Sequence, residues 1–148
     1  MGTNNISFTA TDVRPVGPYL SVRVSAGGTI YAGMPVYIDS SGNAITADVD
    51  GSSLSAVVLG VAIADNDGGT CFVSGNVIDV VYQGRVTGYA SMTPGLPVYA
   101  STLAGQMQQT ESFGTGDYLT EVGVAVTASE ILVRPVRLNS TGEFVTHS

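Results

Sequence analysis

Apolar and polar residues change places along this chain with the rhythm of strands. Leu20, Val22 and Val24 alternate with Ser21, Arg23 and Ser25, which predicts a strand with one face buried. Residues 57–64 are apolar without interruption, which predicts a short strand covered on both faces. Further short runs predict strands at 36–38, 44–47, 70–73, 77–82, 85–90, 122–126 and 131–138. Between them lie turn residues: Asp39-Ser40-Ser41-Gly42-Asn43, Asp65-Asn66-Asp67-Gly68-Gly69, Ser74-Gly75-Asn76 and Gln83-Gly84. Pro135 falls inside the last strand and predicts an edge there, since proline has no amide to give a ladder. No window of a dozen residues carries a helical period. The expected fold is all-β, a compact barrel- or sandwich-like domain at 19–138. An extended N-terminal arm, 1–18, precedes it and a loose tail, 139–148, follows.

The pattern also repeats. Gly33-Met34-Pro35-Val36-Tyr37 returns as Gly95-Leu96-Pro97-Val98-Tyr99. Gly42-Asn43-Ala44-Ile45 returns as Gly105-Gln106-Met107-Gln108, and Leu59-Gly60-Val61-Ala62 as Val122-Gly123-Val124-Ala125. Three landmarks in one order at an offset of 62 to 63 predict an internal duplication, with units of about 28–64 and 90–127. Two long copies do not make a stacked array, so they are read as twin β-units closing one core. In each, Gly33 or Gly95 makes the turn, Pro35 or Pro97 opens a strand, and Val36-Tyr37 or Val98-Tyr99 suits a pleated surface. Gly60 and Gly123, inside apolar strands, predict a close approach of backbones rather than a ligand site. The repeated Tyr37 and Tyr99 are read as packing residues.

Composition narrows the function. The chain has 148 residues, enough to bury roughly 70% of its unfolded surface. Charged residues are 11%, against about 25% in ordinary domains, and the net charge is −7. Lysine is absent; Arg14, Arg23, Arg85, Arg134 and Arg137 are all the basic side chains besides His147. So few cations neutralise few phosphates, so no direct nucleic-acid partner is expected. A surface poor in charge also costs little to bury in an assembly. No membrane span and no signal peptide are expected, because the longest apolar run is too short and the N-terminus is polar.

Candidate chemistry is sparse. His147 lies two positions from the end and Cys71 is single, so neither a nucleophile triad nor a zinc site can be assembled. Without lysine there is no phosphate-loop lysine, Schiff base or lysine-borne carrier arm. Asp65-Asn66-Asp67-Gly68 begins like a calcium loop, but position 12 is Asn76 where Glu is required. Asp39-Ser40-Ser41-Gly42 has Ser101 where the second unit would need an Asp for a carboxylate dyad. Both are read as turns. Cys71, in an apolar run, is read as a small buried hydrophobe. No catalytic residue, cofactor or metal ion is expected.

The two Gly-x-Pro-Val-Tyr segments, with Leu-Gly-Val-Ala after the first, Val77-Ile78-Asp79-Val80-Val81-Tyr82-Gln83-Gly84-Arg85-Val86 between them and Val-Gly-Val-Ala before the last strand, resemble the capsid decoration (cement) proteins of tailed bacteriophages. The resemblance spans about residues 20–138. It implies a non-enzymatic virion protein, made in the host cytoplasm and carried on the capsid exterior. It implies a homotrimer on the major capsid protein at three-fold and quasi-three-fold positions, bracing the shell against packaged DNA. It further implies that the arm reaches a neighbouring subunit, with Ile6, Phe8, Val13, Arg14 and Val16 as contacts, so that deleting 1–18 would spare the fold and weaken attachment. The alternatives are another virion β-domain, of tail or fibre, and a carbohydrate-binding module.

Overall fold

Backbone amides and carbonyls must find partners once they leave water, and here they find them in strand ladders and in the turns between them. In a computed structural model, residues 5–49, 57–64, 69–109 and 118–140 are described. Strand accounts for 56% of the protein, more than twice the usual share, and the described residues hold no α-helix. The fold is all-β, as expected: a curled half-barrel sheet of antiparallel strands. The turn expected at 65–69 lies almost wholly outside the described residues. So do residues 110–117, His147 and the expected tail beyond Ser140.

The first unit consists of β4 (Pro35–Ile38), β5 (Ala44–Thr46) and β6 (Gly60–Ile63). Strand β4 pairs with β5 on one edge and β6 on the other. The second unit consists of β10 (Pro97–Ala100), β11 (Met107–Gln108) and β12 (Tyr118–Ala125). The registers coincide. Pro35 faces Val61 and Val36 faces Gly60; Pro97 faces Val124 and Val98 faces Gly123. Tyr37 faces Ile45, and Tyr99 faces Gln108. Gly33 and Gly95 turn with φ of +105° and +89°, and Gly42 and Gly105 with +86° and +80°. The Asp39 carboxylate accepts from the Ser41 and Asn43 amides, and the Ser101 hydroxyl accepts from the Leu103 amide at the equivalent turn. The duplication read from the sequence is thus a duplication of hydrogen-bond registers.

The repeat also reaches two strands the sequence did not align. Strand β8 (Val77–Thr87) lies against β6, with Val61 opposite Val81 and Ala62 opposite Val80. Strand β13 (Ile131–Ser140) lies against β12, with Val124 opposite Leu132 and Ala125 opposite Ile131. A Cβ placed on Gly60 would strike the carbonyl of Val81, and one on Gly123 the carbonyl of Leu132. The close approach expected at these glycines is present, and its target is the equivalent residue in each unit. Strand β8 does not break at Gln83-Gly84, where the sequence predicts a turn; Gly84, at φ +139°, keeps the strand running with Tyr19 packed over it. Likewise β13 continues to Ser140, two residues into the expected tail.

Strand β8 joins the units. Its one edge is held along its length by β2 (Arg14–Ser25). Its other edge carries β6 opposite Asp79, Val80 and Val81, and then β13 opposite Gly84, Arg85 and Val86. Beyond Val133 the β8-facing edge of β13 has no strand beside it among the described residues, which is where Pro135 sits, as expected. The register slips at Tyr82: Leu20 faces Gln83 and Ser21 faces Val81, so Tyr82 is an extra residue on β8. The bulge shifts the side-chain alternation by one. Val81 therefore joins Val86, Ile131 and Val133 in the main core, while Val80 turns to the opposite face. There Val80, Val36, Ala62 and Ile78 form a second core under Ile30 and Phe72, which belong to the paired β3 (Ile30–Tyr31) and β7 (Cys71–Phe72). Cys71, expected inside, is exposed because Phe72 takes the inward position of this two-residue strand.

Gly123→Ala and Gly60→Ala should each cost about 2–3 kcal/mol, because backbone must separate to admit the methyl. Gly42→Ala has open space and should cost only the left-handed strain, about 1 kcal/mol. Urea denaturation midpoints compare the three; equal losses at all sites would disprove the close-approach account.

Candidate interaction surface

The residues expected on a free arm are, in the single chain, mostly folded onto it. The segment is extended, as predicted, but Ser7 and Phe8 (β1) pair with Tyr89 and Ala90 (β9), and the Ile6 amide donates to the Met107 carbonyl at 2.7 Å. Asn5 bridges to Gln108 and accepts from the Ser101 hydroxyl at 2.8 Å. Ile6 and Val13 are buried in the main core, and Phe8 packs against it with its ring 6.0 Å from that of Tyr89. Arg14 and Val16 are already part of β2, opposite Thr87 and Arg85. Alternating Ile6 and Phe8 promised an apolar row, and the chain supplies its own groove for it. Gly33 makes that groove: a side chain there would meet the Phe8 ring at 2.5 Å. The Gly33 carbonyl accepts from the buried Tyr89 hydroxyl at 2.8 Å. Burial pushes the Tyr89 hydroxyl well above the ordinary tyrosine range.

What faces outward is the strand expected to be half-buried. Val24 packs on the second core, but Val22 is 37% exposed and Leu20 50%. The second core covers the outer face only under the first unit. On the second unit that face carries Leu132 and Val124, both half-buried, which are the counterparts of Val81 and Val61. Leu20 and Leu132 share a shallow hollow with Pro18, Tyr19 and Gln83. A second hollow, of about 360 Å³, opens where β6 and β13 part from β8, lined by Ile38, Val57, Val58, Leu59, Tyr82 and Pro135. The sequence marked Leu20 and Val22 as apolar-face residues and passed over Tyr82. Alternation identifies a face without saying what covers it, and the bulge that presents Tyr82 has no local signature.

Arg14, Arg23, Arg85 and Arg134 are engaged in place. Arg23 pairs with Asp79 at 3.1 Å, Arg134 with Glu121 at 3.9 Å, and Arg85 with Glu130, whose carboxylate also accepts from the Arg85 Nε at 3.1 Å. Arg14 donates to its own Thr11 carbonyl. A hollow of about 650 Å³ between Thr11, Tyr19, Arg23 and Asp79 therefore has its best anion-binding group already engaged. Among the described residues no three of His, Cys, Asp and Glu gather in one place. The repeat residues serve packing: Val36 and Val98 are fully buried, Tyr99 nearly so, and Tyr37 packs on the main core.

The expectation that residues 1–18 can be removed without harm is therefore revised. Deleting 1–13 takes Ile6, Phe8 and Val13 from the core and should cost about 5 kcal/mol or more, enough to unfold a marginal domain. A truncated protein with an unchanged melting temperature would contradict this. Tyr89→Phe should cost about 1–2 kcal/mol at neutral pH by orphaning the Gly33 carbonyl. The raised folded-state value of Tyr89 means that its unfolded form alone releases the proton just above pH 10. Stability is thus intact below that pH and declines as pH rises above it. The decline should be shallower in Tyr89→Phe, as urea titrations from pH 8 to 11.5 would reveal.

Compared with known protein families and with curated proteins, the chain finds no match in either.

Proposed function

We propose that this protein is a capsid decoration protein of a tailed bacteriophage. It binds the outer surface of the head as a homotrimer at three-fold and quasi-three-fold positions, contacts the major capsid protein, and braces the shell against the pressure of packaged DNA. The observation that carries the reading is the bare outer face. The sequence of β2 alternates as a half-buried strand does, yet Leu20 and Val22 are in solvent, next to Leu132 and the Tyr82 hollow. Apolar side chains left in solvent on a strand that alternates like a half-buried one mark a place where protein meets protein. The surrounding chemistry supports the same reading: arginines tied to acids or to the chain's own carbonyls, and a surface with few charges to desolvate. The motifs that resemble decoration proteins are the segments that build the duplicated scaffold beneath this face. A trimer on a three-fold engages three equivalent contacts at once, so modest individual contacts sum to a durable attachment.

The test is to mix purified protein with expanded, undecorated heads and locate the added density by electron cryo-microscopy. Density at three-fold and quasi-three-fold positions, together with a trimeric mass in sedimentation, is the expected result. Failure to bind any head, or density confined to tail structures, would overturn the assignment. Leu20→Asp with Val22→Asp should fold normally and lower head occupancy at least about tenfold, since each buried charge costs more than 1.4 kcal/mol.

A further inference from the structure

The bare face ends at a bare edge. Strand β2 gives one edge to β8 and, among the described residues, has no strand on the other. The two ends of the sheet path are treated differently: Asn5 bridges to Gln108 on β11, and Ala26 bridges to Ala44 on β5. An open edge is a template for another strand, and proteins ordinarily blunt it with lysine, proline or a bulge. This chain has no lysine. Its two β2 prolines, Pro15 and Pro18, and the irregularity between Val16 and Tyr19, all lie in the first part of the strand. The later slip is an extra residue on β8, so β2 itself runs regularly from Tyr19 to Ser25. Those seven residues present about 24 Å of unblocked edge.

We infer that this edge is a self-pairing site: β2 of a second copy of this chain adds antiparallel to it about a two-fold axis at Val22. The argument is self-complementarity. In such a pair, each residue before the centre faces the residue equally far beyond it. Val22 faces Val22 of the other copy, Leu20 faces Val24, Ser21 faces Arg23, and Tyr19 faces Ser25. Every row is compatible. Leu20, Val22 and Val24 stay on one face and make a continuous apolar row across the two copies. Arg23 meets a serine rather than another arginine, and it keeps Asp79 as its own counter-ion. A centre at Arg23 would set like charges opposite each other. Val22 is also the midpoint of the unblocked stretch, so no proline enters the new ladder.

A seven-residue ladder buries less than the roughly 800 Å² per partner of a durable interface. The contact is therefore weak between free molecules and strengthens where copies are held side by side. The inference does not rest on the decoration reading. Should that reading hold, the edge would join one trimer to the next.

Disulfide trapping reads this register directly. Opposed residues on paired strands have Cα atoms about 4.5–5.5 Å apart, within disulfide reach. In a Cys71→Ser background, which removes the exposed native thiol, Val22→Cys should oxidise to a covalent dimer at least tenfold faster than Leu103→Cys, an exposed position away from β2. Leu20→Cys alone should be as slow as that control, whereas an equimolar mixture of Leu20→Cys and Val24→Cys should cross-link fast. Circular dichroism confirms that each variant is folded, and the mixture tests the register even where Val22→Cys is perturbed. Val22→Cys no faster than the control, or Leu20→Cys alone as fast as the mixture, would overturn the proposal. No capsid is present, so this result stands apart from the outcome of the head-binding experiment.

Discussion

Strand β8 satisfies its backbone on both sides, and the fold depends on how it does so. One edge is held by a single long partner, β2, and the other by two short ones in succession, β6 and then β13. A strand can hydrogen-bond to only one neighbour per edge at each residue, so the two units must meet β8 at different heights. Where they part, between Val81 and Gly84, the Tyr82 bulge takes up the mismatch. That one extra residue settles which face each unit turns inward. It sends Val81 into the main core and Val80 into the second, while their counterparts Leu132 and Ile131 lie outside and inside respectively.

The duplication is thus exact in register and unequal in surroundings. Gly60 and Gly123 sit over equivalent carbonyls, and Gly33 and Gly95 turn alike. Yet the outer face of the first unit carries a second core, whereas Val124 and Leu132 on that face of the second unit are only half-buried. The extra cover comes from β3 and β7, through Ile30 and Phe72. The N-terminal segment instead serves the inside, closing the main core through Ile6, Phe8 and Val13. Apolar side chains are left over on the outer face: Leu20 and Val22 on β2 and, across Gln83, the half-buried Leu132. An exposed apolar face and a closed core are here two consequences of a single bulge.

The strands were legible because period-2 alternation and Gly/Pro punctuation are local. The twin units were legible because their landmarks recur in order. Pro135 at an unpaired edge and the carbonyl contacts of Gly60 and Gly123 follow from properties each residue carries alone: a missing amide, a missing Cβ. Even the all-β class followed from these short-range signals, without any long-range pairing being known.

Other features depended on contacts between residues far apart in the chain, which no local pattern encodes. Ile6 and Val13 are as apolar as arm contacts would be; only the groove shaped by Gly33, Tyr89 and Met107 makes them core. Leu20 and Val22 alternate like buried residues, and only the extent of the second core leaves them outside. Cys71 and Phe72 are neighbours in one apolar run, and pairing with Ile30 and Tyr31 sends one out and the other in. Sequence by itself determined which residues form strands and where backbone must pass close to backbone, because those are properties of residues and their immediate neighbours. Tertiary structure alone decided which face each strand shows to water, because a single bulge on a distant strand reverses it.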